Sequence, residues 1–392
     1  MGRTTGVAVV TALLCASSAM AAPTTGQDPA MAVRRARLEA EALEKKRAWE
    51  GCGRIYRDTY SSHPNDPRAD EVLYNAGVCF ERARSVGAAL AMYAQLRRRF
   101  PHSRQAQKAL VRAANLHAQT ASFARAAELY EEYARMYPGE KDAPSALSNA
   151  VAYRQGIGDY DRAIADTERF VRSYRRKNKR EAAAALFSMA GLYQAKGQSD
   201  RAAAVLRRYL KEFGRVGGRA RVVIALARIG EHEWQRSCPL AAGAGGCVRV
   251  RRKGQSVAFK AVTRNHRRAA EARRHFRRAV AEWRKLAGTR PDAGYRFRDD
   301  GQALRAAADR WHGAARFYLA DASFEQMLAK KAGSAADAAA MFERAGEATP
   351  AWQVASAARV GQVLLHQGQP RRAAAAFQRC LKLSVEASHF DD

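Results

Sequence analysis

Between Leu73 and Pro101 the apolar and small positions fall at three- and four-residue steps: Leu73, Ala76, Gly77 and Phe80, then Ala89, Tyr93 and Leu96. This spacing puts each set on one face of an α-helix, and the break at Gly87 with the stop at Pro101 predicts two helices folded back on each other. Gly77 and Ala89 are small enough for close approach, with Phe80 and Tyr93 filling the space beside them. The template is a small residue, a bulky one four later, a helix-facing one seven later and a breaker twelve later, and it recurs. Cys52, Tyr56, Thr59 and Pro64 fit it, as do Ala126, Tyr130, Tyr133 and Pro138, so Pro64, Pro101 and Pro138 stand 37 residues apart. Further matches begin at Ala163, Ala202, Ala272, Ala338 and Ala373. First helices match as well, as in Leu110, Ala113 and Ala114, or Leu186, Met189, Ala190 and Tyr193.

This recurrence resembles the tetratricopeptide repeat family, whose helix pairs stack into a superhelix. The resemblance implies an all-α fold: a tetratricopeptide-type α-solenoid, a right-handed superhelix of helical hairpins with one interrupting loop insertion. It also implies that partner proteins or peptide segments bind in a groove lined by the first helix of each hairpin. On this chain that points to Tyr74, Val78, Lys108, Val111, Asn115, Gln119, Ser148, Gln155, Phe187 and Gln194. The aromatic-proline ends Phe100-Pro101-His-Ser and Tyr137-Pro138-Gly resemble the exported subgroup of these repeats. That subgroup includes the lipoprotein of the outer-membrane β-barrel assembly machine and the periplasmic partner of the Tol-Pal system. The likeness covers about Gly51 to Gly214 and Trp352 to Leu383.

Five stretches follow from the pattern: a signal peptide over 1–21, a linker and capping hairpin over 22–64, a regular array over 65–214, an interrupted repeat over 215–290 and C-terminal hairpins over 291–392. The cap reads as a mixed-charge helix from about Met31 to Trp49. Gly158-Asp159 and Gly197-Gln198 mark turns within hairpins, where glycine supplies positive φ. After Gly214 a first helix runs to about Arg236, yet its partner does not begin until about Asn265. Val248–Lys253 and Val257–Val262 alternate weakly in between and could form a small hairpin, and insertions of this kind are expected as loops on one face. A long helix from Gly301 to about Lys331, a short one around Phe342 ending at Pro350 and a last hairpin follow. The tail from Ser384 has no strong pattern.

Arg3, the apolar run Val7 to Cys15 and the small-x-small sequence Ala19-Met20-Ala21 read as a cleaved export signal. Leu14 before Cys15 argues for a soluble periplasmic protein over a lipid-anchored one, with association to the outer membrane open. No stretch reaches the 18 apolar residues of a membrane span. An oxidising compartment makes Cys238 and Cys247, bracketing a Gly-rich loop, disulfide candidates in preference to free thiols or a metal site. Cys52 and Cys79, on helices of neighbouring repeats, are open between a bridge and free thiols. Cys380 reads as a small core residue.

The net charge is +30. From Arg249 to Arg290 fifteen Lys or Arg face Glu271 and Glu282 alone. Arg267, Arg268, Arg273, Arg274, Arg277 and Arg278 fall outside the apolar stripe of their helix, which makes a basic face. Export argues against nucleic acid and leaves anionic lipid, lipopolysaccharide or envelope polysaccharide as its reachable polyanions. Composition offers the bland alternative, because Arg and Ala enrichment also follows from a GC-rich genome. No HExxH, GxSxG, CxxC or phosphate-loop pattern occurs and the nine histidines form no spaced cluster, so neither catalysis nor a cofactor is expected. The expected function is a non-enzymatic protein–protein scaffold of the bacterial cell envelope. The alternative is a basic module docking on anionic envelope polymers or lipid.

Overall fold

The computed structural model describes residues 29–240, 247–254, 256–289, 298–330, 333–347 and 349–388. Among them are sixteen helices and one two-stranded antiparallel sheet. The expected signal segment, most of its linker, the middle of the Cys238–Cys247 loop and the last four residues lie outside the described residues. Contacts divide the chain into two compact units, one ending at Leu116 and the other starting at His117.

The first unit contains α1 (Pro29–Lys45), α2 (Trp49–Ser62), α3 (Ala69–Arg82), α4 (Val86–Arg99) and most of α5 (Arg104–Gln119). The capping helix ends earlier than its charge pattern suggests, and Trp49 opens α2 instead of closing α1. Between them Arg47 takes a left-handed backbone at φ 56, and the Ala48 amide donates to the Leu43 carbonyl, which closes the helix end. The turn of the next hairpin is built the same way. Arg84 has φ 59 and the Ser85 amide donates to Phe80, so the turn lies at Arg84, and Gly87 belongs to the first turn of α4. Within this hairpin a Cβ on Gly77 would lie 2.3 Å from the Tyr93 ring, so only glycine permits the observed approach. Phe80, Tyr93, Leu73 and Leu96 are all fully buried around that contact.

The second unit carries α6 (Phe123–Met136), α7 (Ala143–Gly156), α8 (Tyr160–Tyr174), α9 (Lys179–Ala195), α10 (Ser199–Phe213) and α11 (Arg219–Ser237). After β1 (Val248–Lys253) and β2 (Ser256–Ala261) come α12 (His266–Ala287), α13 (Arg298–Leu328), α14 (Ala335–Gly346), α15 (Pro350–His366) and α16 (Pro370–Ser388). Each helix packs on the next. The left-handed turn residue recurs at Ala121, Gly158, Gly197 and Gly368, with φ between 57 and 77. Polar links join positions about one repeat apart: Lys196 to Asp161, Arg228 to Gln194, Arg236 to Asp200 and Arg208 to Glu168.

The interrupted repeat keeps its hairpin geometry. A Cβ on Gly361 would meet the Phe377 ring at 2.6 Å, and one on Gly230 would meet Phe276 at the same distance. In sequence, however, Phe377 follows Gly361 by 16 residues and Phe276 follows Gly230 by 46. The intervening segment does form a β-hairpin, with Val248 opposite Ala261 and Arg252 opposite Val257. It does not stand off as a surface loop. Val248 and Phe259 are buried with Phe317, Phe324, Phe342 and Val363 of α13 to α15, because that apolar face can leave water only by packing there.

Three C-terminal expectations change. The helix around Phe342 ends at Gly346, and Pro350 starts α15, where its missing N–H is one that a first turn leaves unbonded anyway. The tail stays helical to Ser388, and Cys380 is half-buried with a free thiol.

Candidate functional site

In the first unit the expected groove positions Tyr74 and Val78 on α3 and Val111 on α5 are half-buried, while Lys108 and Asn115 on α5 are exposed. Tyr74 and Lys108 belong to one connected patch. Arg112 donates from Nε to the Tyr74 hydroxyl at 3.0 Å and from Nη1 to Glu81 at 3.0 Å, and the Lys108 ammonium lies 5.7 Å from the Tyr74 ring. The buried Tyr93 hydroxyl donates to Glu81 at 2.8 Å; burial and that carboxylate push its phenol up. Tyr74 is therefore held in place by its neighbours.

In the second unit Gln119, Ser148, Gln155 and Gln194 are exposed, and Gln194 accepts from Arg228. Phe187 sits differently from these. Its ring meets Tyr209 edge-on at 5.4 Å and packs against Val223, Ile224 and Leu286, so it serves the packing between hairpins.

Two buried polar networks lie behind these surfaces. Arg154, 2% exposed, donates to Glu131 at 2.7 Å and to Asp159 at 3.4 Å. Asp166, close by on α8, is pushed up to about 7 by burial first and by the charge of Glu131 second. The other network fixes the insertion. Arg264, just after β2, lies 3.7 Å over the Trp234 ring and donates to both oxygens of Glu325 at 2.6 and 2.8 Å. It also donates to the Trp234 carbonyl and to Ser237, while the Cys247 amide donates to Glu325. Trp234 Nε1 donates to Asp321 at 3.2 Å, and Asp321 pairs with Arg359 of α15 at 3.0 Å. Burial pushes Glu325 up, against the opposing pull of Arg264.

The six arginines singled out on α12 differ in their surroundings. Arg268 pairs with Glu233 at 2.9 Å and Arg273 is half-buried, whereas Arg267, Arg274 and Arg277 are exposed. Arg278 belongs to a separate feature, an open cleft of about 1220 Å³ where the ends of α8, α10 and α12 meet the starts of α9 and α11. Eight basic residues line it against two acidic ones, Glu212 and Glu282. Glu212 is taken by Arg208, and Glu282 by Arg219 and Lys285. Sequence reading missed this cleft. Its signal was the basic run Arg175-Arg176-Lys177 after α8, matched one repeat later by Lys211 in the last turn of α10 and Arg215 just after it.

Both candidate cysteine pairs are bonded: Cys52 with Cys79, and Cys238 with Cys247. Glu44 has a carboxylate oxygen 3.6 Å from each sulfur of the first pair. These three make the only metal-ligand grouping among the described residues. With both sulfurs spent in a disulfide it offers an ion one oxygen, which does not fit a metal centre. No helix among the described residues is long and apolar enough to cross a membrane.

Among curated proteins, no relative matches the sequence. Solved structures give low-identity likenesses. A tetratricopeptide repeat protein from Parabacteroides merdae is 13% identical over 80% of this chain and 93% of its own, with a TM-score of 0.32. The MamA protein is 15% identical over 47% of this chain and 92% of its own, with a TM-score of 0.33. BtubC from P. vanneervenii is 14% identical over 64% and 94%, with a TM-score of 0.31. The family model of the tetratricopeptide repeat matches residues 71–103 and 184–214. Those segments are the α3–α4 and α9–α10 hairpins with their closing turns, and over them the tetratricopeptide character of the repeats is supported.

Proposed function

We propose that this chain is a non-enzymatic scaffold of the bacterial cell envelope that holds partner proteins or peptide segments against the first helices of its hairpins. The observation that carries the reading is the two-sidedness of those helices. On α5 Ala106, Ala109, Leu110, Ala113 and Ala114 are buried while Lys108 and Asn115 face water, and on α7 Ala146, Leu147 and Ala150 are buried while Ser148 and Gln155 face water. The first set is committed to packing, while the second lies at the surface, within reach of a partner. Repeats of this kind generally serve as binding scaffolds and not as catalysts. The envelope location, periplasmic and open to outer-membrane association, rests on the export-type N-terminus and is supported by two disulfides, which persist in an oxidising compartment.

Crosslinking in intact cells followed by purification of the full chain tests it. The same discrete partner bands are expected for wild type and for a control altered at the exposed Gly191, and their loss is expected for Lys108→Ala/Asn115→Ala and for Ser148→Ala/Gln155→Ala. Unchanged bands in both groove variants would remove the groove reading. Docking of the α12 arginines on an anionic polymer has less behind it, because Arg268 is engaged by Glu233 and Arg273 is half-buried.

A further inference from the structure

The cleft at the ends of α8, α10 and α12 carries charge that the protein itself leaves unanswered. Arg175, Arg176, Lys179, Lys211, Arg215 and Arg278 all line it, all are exposed, and among the described residues none is paired with a carboxylate. Elsewhere in the same unit basic side chains are commonly answered: Arg154, Arg207, Arg208, Arg236, Arg264 and Arg359 each meet an acid within 3.0 Å. Six unanswered cations converging from several elements onto one concavity raise a positive potential there, focused by the low-dielectric walls.

The cleft also has an apolar floor. Phe213 and Val222 are buried beneath it, Leu210 is half-buried, and Val216 is 44% exposed at its lip. A polyphosphate or a glycan would leave that floor wet. A peptide bearing both carboxylates and an aliphatic side chain would meet the cations and cover Val216 in one pose. The volume of about 1220 Å³ exceeds what a drug-sized ligand fills and suits a short stretch of chain. The positions differ from the groove residues of the first helices, since they sit at the junctions where one hairpin hands over to the next.

We propose that this junction cleft docks an acidic, aliphatic-bearing segment of a partner protein. It rests on the scaffold reading and adds a second contact to it, with charge setting the partner and the encounter rate.

The test uses the purified full chain and a fluorescein-labelled ten-residue peptide alternating Glu or Asp with Leu, titrated by anisotropy at low salt. Saturable binding is expected. Arg176→Gln/Lys211→Gln/Arg215→Gln is expected to weaken it on the order of tenfold to a hundredfold, from three lost cations near an anionic ligand. Arg267→Gln/Arg274→Gln/Arg277→Gln, which removes the same charge elsewhere, should leave it within about twofold. A peptide with Ser in place of Leu should bind more weakly, as should the Val216→Ser variant. Equal loss in both triple variants would reduce the effect to net charge and overturn the proposal. So would inorganic polyphosphate, or vesicles of phosphatidylglycerol and phosphatidylcholine, binding more tightly than the peptide with the same dependence on Arg176, Lys211 and Arg215. Circular dichroism and a urea midpoint unchanged from wild type show the variant folded, as expected for exposed unpaired side chains. The groove variants keep the cleft, so a failed pull-down with intact peptide binding separates the scaffold reading from this one.

Discussion

Gly230 of α11 lies flat against the ring of Phe276 on α12, so close that a Cβ would stand 2.6 Å from the ring edge. Gly230→Ala therefore forces the two helices apart or turns the ring, and is expected to cost about 1–3 kcal/mol despite the better helix propensity of alanine. Gly191, exposed on α9 with nothing within 4 Å, is the matched control. Gly191→Ala should be neutral or stabilising by up to about 1 kcal/mol. Urea midpoints of the two variants check both signs.

The hairpin turns make a second comparison. Ala121 and Gly158 hold equivalent places 37 residues apart, both with left-handed backbone, at φ 57 and 77. An alanine pays a steric cost there that glycine does not. Ala121→Gly should stabilise the chain by about 0.5–1 kcal/mol and Gly158→Ala should destabilise it by about 1 kcal/mol. Thermal midpoints moving in the same direction for both would contradict the assignment of these residues as the turn.

Asp166 predicts a pH dependence. Its carboxyl is pushed up to about 7 in the fold, by burial and by Glu131, but titrates at an ordinary carboxyl value once unfolded. Folding thus favours the protonated form, and the stability linked to this group is full below about pH 4 and is lost as pH rises through about 7. Asp166→Asn keeps the site neutral. Its urea midpoint should exceed that of wild type at pH 8 by on the order of a few kcal/mol in stability, with the gap closing toward pH 4. A gap independent of pH would show that the carboxyl does not titrate in this window.

Cysteine chemistry gives a direct readout. Of the five cysteines from Cys52 onward, Cys380 alone should accept an alkylating reagent before reduction, as mass mapping would show. Replacing Cys238 and Cys247 by Ser should cost about 2–3 kcal/mol, for a loop closed over 9 positions.

Arg264 is the most heavily bonded side chain in the insertion. Arg264→Met leaves Glu325 buried without its cation and should cost about 3–5 kcal/mol; adding Glu325→Gln should recover part of that loss. Additive losses in the double variant would mean that the two side chains do not act together.

The sequence made the hairpin faces legible because burial imposes a period, and Gly77, Phe80, Ala89 and Tyr93 each fell where that period put them. The turn at Arg84 was hidden, since a left-handed position need not be glycine and Gly87 nearby drew the eye. Phe187 counted as a groove residue by its place on a first helix, yet its ring faces Tyr209, a choice made by neighbours distant in sequence. The cleft escaped notice for a similar reason. Arg175 and Lys211 belong to separate charge runs that come together only through the stacking of helix ends, whereas the described part of the denser run, from Arg249 to Lys285, is spread over both strands, the link after β2 and α12.

Arrays in which each hairpin touches only its neighbours fold and unfold piecemeal, and the links of 34 to 40 residues from α8 to α11 are of that local kind. The segment around the insertion obeys a different rule. Trp234 reaches Asp321 across 87 residues and Arg264 reaches Glu325 across 61. Closing such loops before any contact rewards them slows a chain down and couples its parts. The stretch from α11 to α15 should accordingly exchange its amide protons in one late, concerted opening, while α6 to α10 fray hairpin by hairpin.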